Sequence, residues 1–170
     1  MKHFGSLFAV AGFAVLTMLY AGRVLASADD KADITAVEQR VIEGFKAKDV
    51  DKIMSCYVPD DTLFVFDVVP PREYVGAKAY RKDWEELFAE FSGSAEADMS
   101  DLKVFVQGTM GYAHLIVHSV LTDKTGKKTE SNVRTTDVFR KTGGKWLIVH
   151  EHNSVPVDLA TGKADMTAKP

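Results

Sequence analysis

The sequence has a single cysteine, Cys56, among its 170 residues, so it cannot form a disulfide within the chain. Cys56 continues the apolar helical pattern of Ile53 and Met54, which favours a small buried side chain over a reactive thiol. The sequence also lacks C-x-x-C pairs, a glycine-rich phosphate loop and a G-x-S-x-G motif. Hydride chemistry with a nucleotide cofactor is therefore unsupported, and we expect no cofactor.

Basic residues are slightly fewer than acidic residues in this chain. Its 21 lysine and arginine residues face 24 aspartate and glutamate residues, which gives a formal net charge of −3. Nucleic acids and anionic membranes both carry negative charge, so a mildly acidic surface argues against them as partners.

The first 28 residues have the pattern of a secretory signal peptide. Lys2 gives a positive start, an apolar run extends from Phe4 to Tyr20, and Ala26-Ser27-Ala28 matches an A-x-A cleavage site. The alternative is an uncleaved membrane anchor, but the run is short for a spanning helix and no charge cluster follows it. We expect cleavage before Asp29, a periplasmic or secreted location, and no membrane contact after cleavage.

The residues after the signal peptide predict one domain, residues 29–157, followed by a loosely held polar tail, residues 158–170. Asp33 is expected to cap an amphipathic helix whose solvent side carries Glu38. A second, short helix is expected after Asp49, and a third from Ala77 to about Phe91 with an aromatic stripe.

The remaining segments predict strands, most of them consecutive and antiparallel. They are Thr62–Phe66, Ala95–Gln107, Met110–Thr122, Thr129–Lys141 and Lys145–Val155. Helices followed by such strands indicate an α+β fold, with about three N-terminal helices on one face of a mostly antiparallel sheet. A curved sheet wrapped over the first helix would enclose an apolar cavity.

The last strand alternates with a period of two. This predicts Trp146, Ile148, His150 and His152 on one face, with Glu151 on the other. Two imidazoles on one face could relay protons, or bind a metal if a third ligand joined them. The alternative, which we favour, is that they line a semi-polar cavity or a dimer surface, so we expect no metal.

Four segments in order resemble the SnoaL-like, or ketosteroid-isomerase-like, branch of the nuclear-transport-factor-2-like superfamily. They are Tyr57–Asp61, Gly76 with the helix of Trp84, Arg134–Lys141, and Gly144–Trp146 continued to Pro156. The last segment is also similar to the association domain of calcium/calmodulin-dependent kinase II. The resemblance implies a cone-shaped α+β barrel with a deep internal pocket, usually a homodimer through the sheet. Enzymes of several types and non-catalytic proteins share this fold, so the fold alone implies no activity.

The resemblance implies a carboxylate general base in the strand after the second helix, and Asp67 is the candidate. Asp67 lies about one residue late in register, so the alternative is a solvated carboxylate at the start of a loop. Arg134 and Asp137 differ in parity, so at most one of them can face the cavity. We expect that residue to be Arg134, as a donor to an oxyanion; outward pairing with Glu130 or Glu151 is the alternative.

Asp67, His150 and Arg134 are thus the predicted catalytic residues. The predicted pocket residues are Tyr57, Phe64, Tyr74, Trp84, His114, Thr136, Trp146 and His152. We expect cofactor-independent acid–base chemistry, of isomerase, dehydratase or hydrolase type, on a small apolar molecule. The alternative is a non-catalytic module that binds a small ligand or, as a dimer, another protein.

Overall fold

The computed structural model describes residues 28–169, so the predicted signal peptide lies almost wholly outside the described residues. The elements, in chain order, are α1 (Ala28–Ala47), α2 (Val50–Met54), β1 (Phe64–Phe66), β2 (Tyr74–Val75), α3 (Ala77–Glu90), β3 (Ala95–Gln107), β4 (Met110–Thr122), β5 (Lys128–Thr142), β6 (Lys145–Ser154), β7 (Val157–Asp158) and β8 (Lys163–Ala164). The predicted α+β class is confirmed. None of the helices in these residues has the length and apolar character needed to cross a membrane.

The start of α1 differs from the prediction, whereas the cap of α2 agrees with it. Helix α1 already includes Asp29 and Asp30 in its first turn, where acidic side chains complement the helix dipole, so Asp33 is not its cap. Asp49 does cap α2, since its side chain accepts a hydrogen bond from the Lys52 amide at 2.9 Å. Cys56 is fully buried as predicted, and burial raises the pKa of its thiol.

The main sheet has six strands in the order β2-β1-β6-β5-β4-β3. β1 pairs with β6 in parallel, and the other strand pairings among residues 28–169 are antiparallel. The sheet does not close, so the expected barrel is corrected to an open, curved sheet with β2 and β3 at its edges. Residues of α1 and α3, among them Ile34, Phe45 and Tyr80, cover one face and join the core formed with Phe139 and Ile148.

A β-bulge in β6 decides which side chains of that strand face the core. Val138 pairs with His150 but Phe139 pairs with Ile148, so Val149 is an extra residue in the strand. An extra residue reverses the face of everything beyond it. Trp146 and Ile148 are buried before the bulge, and Glu151 is buried after it. The predicted single face of Trp146, Ile148, His150 and His152 is therefore wrong.

The C-terminal tail is held against the sheet. Strands β7 and β8 pair as a small hairpin. The Asn132 amide on β5 then donates to the Met166 carbonyl at 2.7 Å, and Asn132 Nδ2 donates to the Ala168 carbonyl at 3.2 Å. The tail is thus more firmly held than its polar composition predicts.

Candidate functional site

A cavity of about 560 Å³ lies between the covered face of the sheet and helices α1 and α3. Much of its wall is apolar and comes from both helices and from β4 and β5: Val41, Ile42, Phe45, Trp84, Leu87, Leu115, Val117 and Val133. Met166 of the tail also lines the cavity. A concave, mostly apolar space with a few polar groups is the usual form of a small-molecule site.

Glu151, only 4% exposed, is the most heavily hydrogen-bonded acid in the cavity wall. The Tyr57 hydroxyl donates to its Oε2, while the Tyr80 hydroxyl and Asn153 Nδ2 each donate to its Oε1 at 2.6 Å. Thr135 Oγ1 donates to Asn153 Oδ1 at 2.7 Å and so fixes the orientation of that amide. Three converging donors stabilise a carboxylate anion.

The two tyrosines serve as donors because their hydroxyls stay protonated. Burial first, and then the charge of Glu151, raises the pKa of both Tyr57 and Tyr80 well above its usual value. Their rings meet edge to face, with centroids 5.4 Å apart, which holds both hydroxyls in position.

Glu38 and Asp137 form a second acidic group in the same wall. Their exposed fractions are 3% and 1%, and their carboxyls lie within hydrogen-bonding reach of each other. Burial is the largest cause that raises the pKa of Glu38, to about 8, and the negative charge of Glu151 adds to it. Burial, followed by the charge of Glu38, raises the pKa of Asp137 well above its usual value. Two neighbouring carboxyls this deeply buried disfavour a second negative charge, so we infer that the pair holds a shared proton.

Asp67 is the third acidic group of the cavity. It follows β1, whose last residue, Phe66, pairs with His152, and this brings Asp67 beside Glu151 and Asn153. Its Oδ1 accepts a hydrogen bond from the Val68 amide at 2.6 Å. Burial first, and then the charge of Glu151, raises the pKa of Asp67 to about 7.

Arg134, the second predicted catalytic residue, is exposed and does not line this cavity. Thr135 and Asp137 are buried, whereas Arg134 and Thr136 are exposed on the opposite face of β5. The parity argument is correct, but the choice of Arg134 over Asp137 is wrong. A carboxyl that carries a shared proton can be buried here at lower cost than a guanidinium without a partner.

The bulge at Val149 turns His150 and His152 away from the cavity. His150 Nδ1 lies 2.8 Å from the Phe64 carbonyl oxygen, and its ring packs on Phe66 with centroids 5.6 Å apart. His152 is exposed beside the same Phe66 ring, at 5.5 Å. The prediction that His150 and His152 line the cavity is therefore wrong. No metal-binding group of three histidine, cysteine or carboxylate side chains occurs in residues 28–169.

Two of the predicted pocket residues, Tyr57 and Trp84, line the cavity. The other six lie elsewhere: Phe64, Tyr74, His114, Thr136, Trp146 and His152. Tyr74 is buried behind the wall and donates to Asp83 at 2.5 Å, and Trp146 Nε1 donates to Asp30 at 3.1 Å. His114 is exposed over Phe105, with ring centroids 6.2 Å apart.

Glu38 and Glu151 are two acidic site residues that the sequence reasoning did not place in the cavity. For Glu38 a signal exists, because it lies four residues after Ile34 and four before Ile42, on the apolar stripe of α1. Its prediction as a solvent-facing residue is wrong. For Glu151, counting alternate residues along β6 predicts the wrong face of the strand unless the extra residue Val149 is known.

The fold and sequence match known proteins. A family model described as SnoaL-like domain matches residues 34–158. The structure of an NTF2-like protein of unknown function from Pseudomonas putida KT2440 is 26% identical, with a TM-score of 0.76, and the match covers 85% of this chain and 99% of that chain. A search of curated proteins found no match.

Two more distant structures show the same fold. A provisionally assigned scytalone dehydratase from Novosphingobium aromaticivorans DSM 12444 is 16% identical, with a TM-score of 0.66 over 74% of this chain and 83% of that chain. A ketosteroid isomerase-like protein from Erwinia carotovora atroseptica SCRI1043 is 17% identical, with a TM-score of 0.64 over 75% of this chain and 97% of that chain.

Proposed function

The chain belongs to the SnoaL-like domain family, and from this premise we propose that it is an enzyme that moves protons on a small, largely apolar molecule. The single observation that carries the proposal is Asp67, a cavity carboxyl whose pKa is raised to about 7. A general acid or base works best when its pKa lies near the working pH.

Asp67 is the proton-transferring group in this proposal. Its anion can accept a proton from a bound molecule near neutral pH, and its acid form can return the proton to another atom of that molecule. The Val68 amide, which donates to Asp67 Oδ1 at 2.6 Å, holds the carboxyl in a fixed orientation. In this proposal the Asp67 carboxyl is the reacting group, and the negative charge of the neighbouring Glu151 helps to keep its pKa raised.

The other polar groups of the cavity place no cationic side chain beside the reacting atoms. Glu151 is an oriented carboxylate, and the protons of Tyr57 and Tyr80 are already donated to it. No lysine, arginine or histidine of the described chain lines the cavity to stabilise an oxyanion. Proton transfer by Asp67 is therefore the chemistry that these residues support most directly.

The fold relatives support a reaction of this class. One is provisionally assigned as a scytalone dehydratase and another is described as ketosteroid isomerase-like. Both names refer to reactions that remove or shift protons without a redox step. The support comes from a shared fold, which also carries other activities.

Hydrogen exchange offers a test that does not require the natural substrate. The protein is incubated in deuterated buffer with a panel of small ketones and allylic alcohols, and deuterium incorporation is followed by NMR. We expect incorporation that depends on the protein and is lost in Asp67→Asn but kept in Glu85→Gln, an exposed carboxyl outside the cavity. Equal incorporation with Asp67→Asn would contradict the proposal.

We also propose that the protein forms a dimer, in addition to acting as an enzyme. An exposed aromatic pair on the sheet supports this second proposal. The outer face of the sheet exposes Phe105 and Tyr112, with exposed fractions of 45% and 44%, as a stacked pair. Exposed aromatic side chains on a sheet are typical of protein interfaces. Sedimentation equilibrium is expected to give a homodimer, and Tyr112→Glu is expected to give a monomer.

Export is also a proposal, supported by residues 1–28 of the sequence. Expression of the full chain in a Gram-negative host, followed by mass measurement of the periplasmic fraction, is expected to give a chain that starts at Asp29. An intact N-terminus in the cytoplasm would contradict export.

A further inference from the structure

We propose that the loop of residues 67–73 is a pH-controlled lid of the cavity, and that Tyr74 and Asp83 form its latch. The latch is closed when the Asp83 carboxyl carries a proton and open when that carboxyl is ionised. This inference goes beyond the proposed function, because it concerns entry to the cavity and stands whether or not Asp67 transfers protons.

The loop lies at the mouth of the cavity and is held by few bonds. It connects β1 with β2, and Val68, Val69 and Pro70 line the cavity. Val69 is also 47% exposed, so it lies at the boundary between the cavity and solvent. Within the described chain, the hydrogen bonds of residues 68–72 stay inside the loop, except for the contact between the Pro70 carbonyl and Tyr74. The state of that one contact therefore controls how easily the loop moves.

The Tyr74 hydroxyl lies between two acceptors but has only one proton to donate. Its oxygen is 3.2 Å from the Pro70 carbonyl oxygen in the loop and 2.5 Å from Asp83 Oδ1 on α3. When Asp83 is ionised, its carboxylate is the stronger acceptor and takes the proton, so the Pro70 carbonyl loses its donor. When Asp83 is protonated, it donates to the Tyr74 oxygen, and the Tyr74 proton is free for Pro70. Only the protonated form joins the loop, β2 and α3 by one chain of hydrogen bonds.

The surroundings of Asp83 favour its protonated form. Burial is the largest cause that raises the pKa of Asp83 above its ordinary value of 3.8; the Tyr74 hydrogen bond lowers it, and the charge of Glu86 raises it. Asp67 is a further acid within range, because the charge of Asp83 helps to raise the pKa of Asp67. Lys82 pairs with Glu86 at 3.1 Å, and no basic side chain of residues 28–169 forms an ion pair with Asp83. The lid therefore closes as the pH falls and opens as it rises.

Electron paramagnetic resonance of a nitroxide label in the loop tests the inference. The label is attached through Arg72→Cys, at an exposed position, whereas Cys56 is buried and stays unlabelled. A closed loop immobilises the label, so the ratio of immobile to mobile signal reports the state of the latch. From about pH 4 to about pH 8 this ratio is expected to fall by about threefold to tenfold, as the loss of one hydrogen bond implies.

Two substitutions hold the latch in one state each. Asp83→Asn keeps an N–H donor for the Tyr74 oxygen at every pH, so the label is expected to stay immobile. Tyr74→Phe removes the hydroxyl, so the label is expected to stay mobile. Glu85→Gln, at an exposed position of α3, and Asp67→Asn are the controls, and both are expected to keep the pH response.

Quenching of Trp84 fluorescence by acrylamide measures entry to the cavity, because Trp84 lines it. In the same variants the quenching constant is expected to rise with the mobility of the label. Mobility that changes without a change in quenching would show that the loop moves but is not a lid, and the inference would be overturned.

The labelled wild-type chain and Asp83→Asn decide the inference even if Tyr74→Phe does not fold. A wild-type label with equal mobility at both pH values would overturn it. A pH response that persists in Asp83→Asn, or that disappears in Asp67→Asn, would overturn it as well. These measurements involve no reaction, so the proposed proton transfer is decided separately by the hydrogen-exchange experiment.

Discussion

Glu38 on α1 and Asp137 on β5 are brought together in the cavity wall as a buried, proton-sharing carboxyl pair. Neither the helix nor the strand can produce this pair alone. Packing of α1 against the sheet creates it, at the cost of removing two carboxyls from water. Proteins keep such unfavourable groups mainly where they have a function.

The first prediction concerns the pH dependence of stability. The folded chain holds a proton on Glu38 up to a pKa of about 8, whereas the unfolded chain loses it near the ordinary value of 4.5. The folded state therefore binds more protons between these values, so stability falls as pH rises through that window. Asp67, with its pKa raised to about 7, acts in the same direction.

Urea unfolding measures this first prediction. The free energy of unfolding is expected to be higher at about pH 5 than at about pH 8.5, by about 6 kcal/mol from Glu38 and Asp67 together. Glu38→Gln removes one titrating group and is expected to flatten the dependence. A free energy that rises over this range would contradict the assignment of a shared proton to Glu38 and Asp137.

The second prediction concerns the donors to Glu151. Tyr80→Phe keeps the ring but removes the hydroxyl that donates to Oε1 at 2.6 Å. The free energy of unfolding is expected to fall by about 1–3 kcal/mol, since a buried charge loses a partner. Glu85→Gln, which changes an exposed side chain of α3 outside the cavity, is the control and is expected to have almost no effect.

The third prediction concerns the pH profile of hydrogen exchange. If Asp67 is the base, the protein-dependent exchange rate rises with pH and levels off above a pKa of about 7. Asp67→Asn is expected to lower the rate by about 100-fold or more. A wild-type profile with no change near neutral pH would show that another group transfers the proton.

The fourth prediction concerns the bulge. Deletion of Val149 removes the extra residue of β6 and, if the pairing with β5 holds, exchanges the faces of all residues after it. Glu151 would then leave its tyrosine donors, and the chain is expected to lose cooperative unfolding by circular dichroism. Val149→Ala keeps the residue count and is expected to keep the fold. A stable deletion variant would show that β6 tolerates either register.

The sequence predicts the local features of this fold well. The helical spacing in α1 and α3 and the Asp49 cap depend on neighbours within a few residues, and these are visible in the sequence. The strand pattern predicts the sheet and an enclosed cavity, and the family resemblance implies both as well. The resemblance also implies Asp67 as the candidate base, and its role stays a prediction.

The composition of the site is much less visible in the sequence. Counting by twos along β6 fails at Val149, because an extra residue appears only when β6 is paired with β5. Glu38 lies on the apolar stripe of α1, yet its charge suggests solvent, and only its proximity to Asp137 explains how it can be buried. Acidic groups that share protons break the usual link between charge and exposure.

Direct measurement of the protonation of Asp67 tests the central claim. The chain is labelled with ¹³C at its carboxyl groups, and the Asp67 resonance is identified by its loss in Asp67→Asn and followed from about pH 4 to about pH 9. The account predicts a midpoint near a pKa of about 7. A midpoint near the ordinary aspartate value of 3.8 would mean an ordinary solvated carboxylate and would contradict the proposed proton transfer.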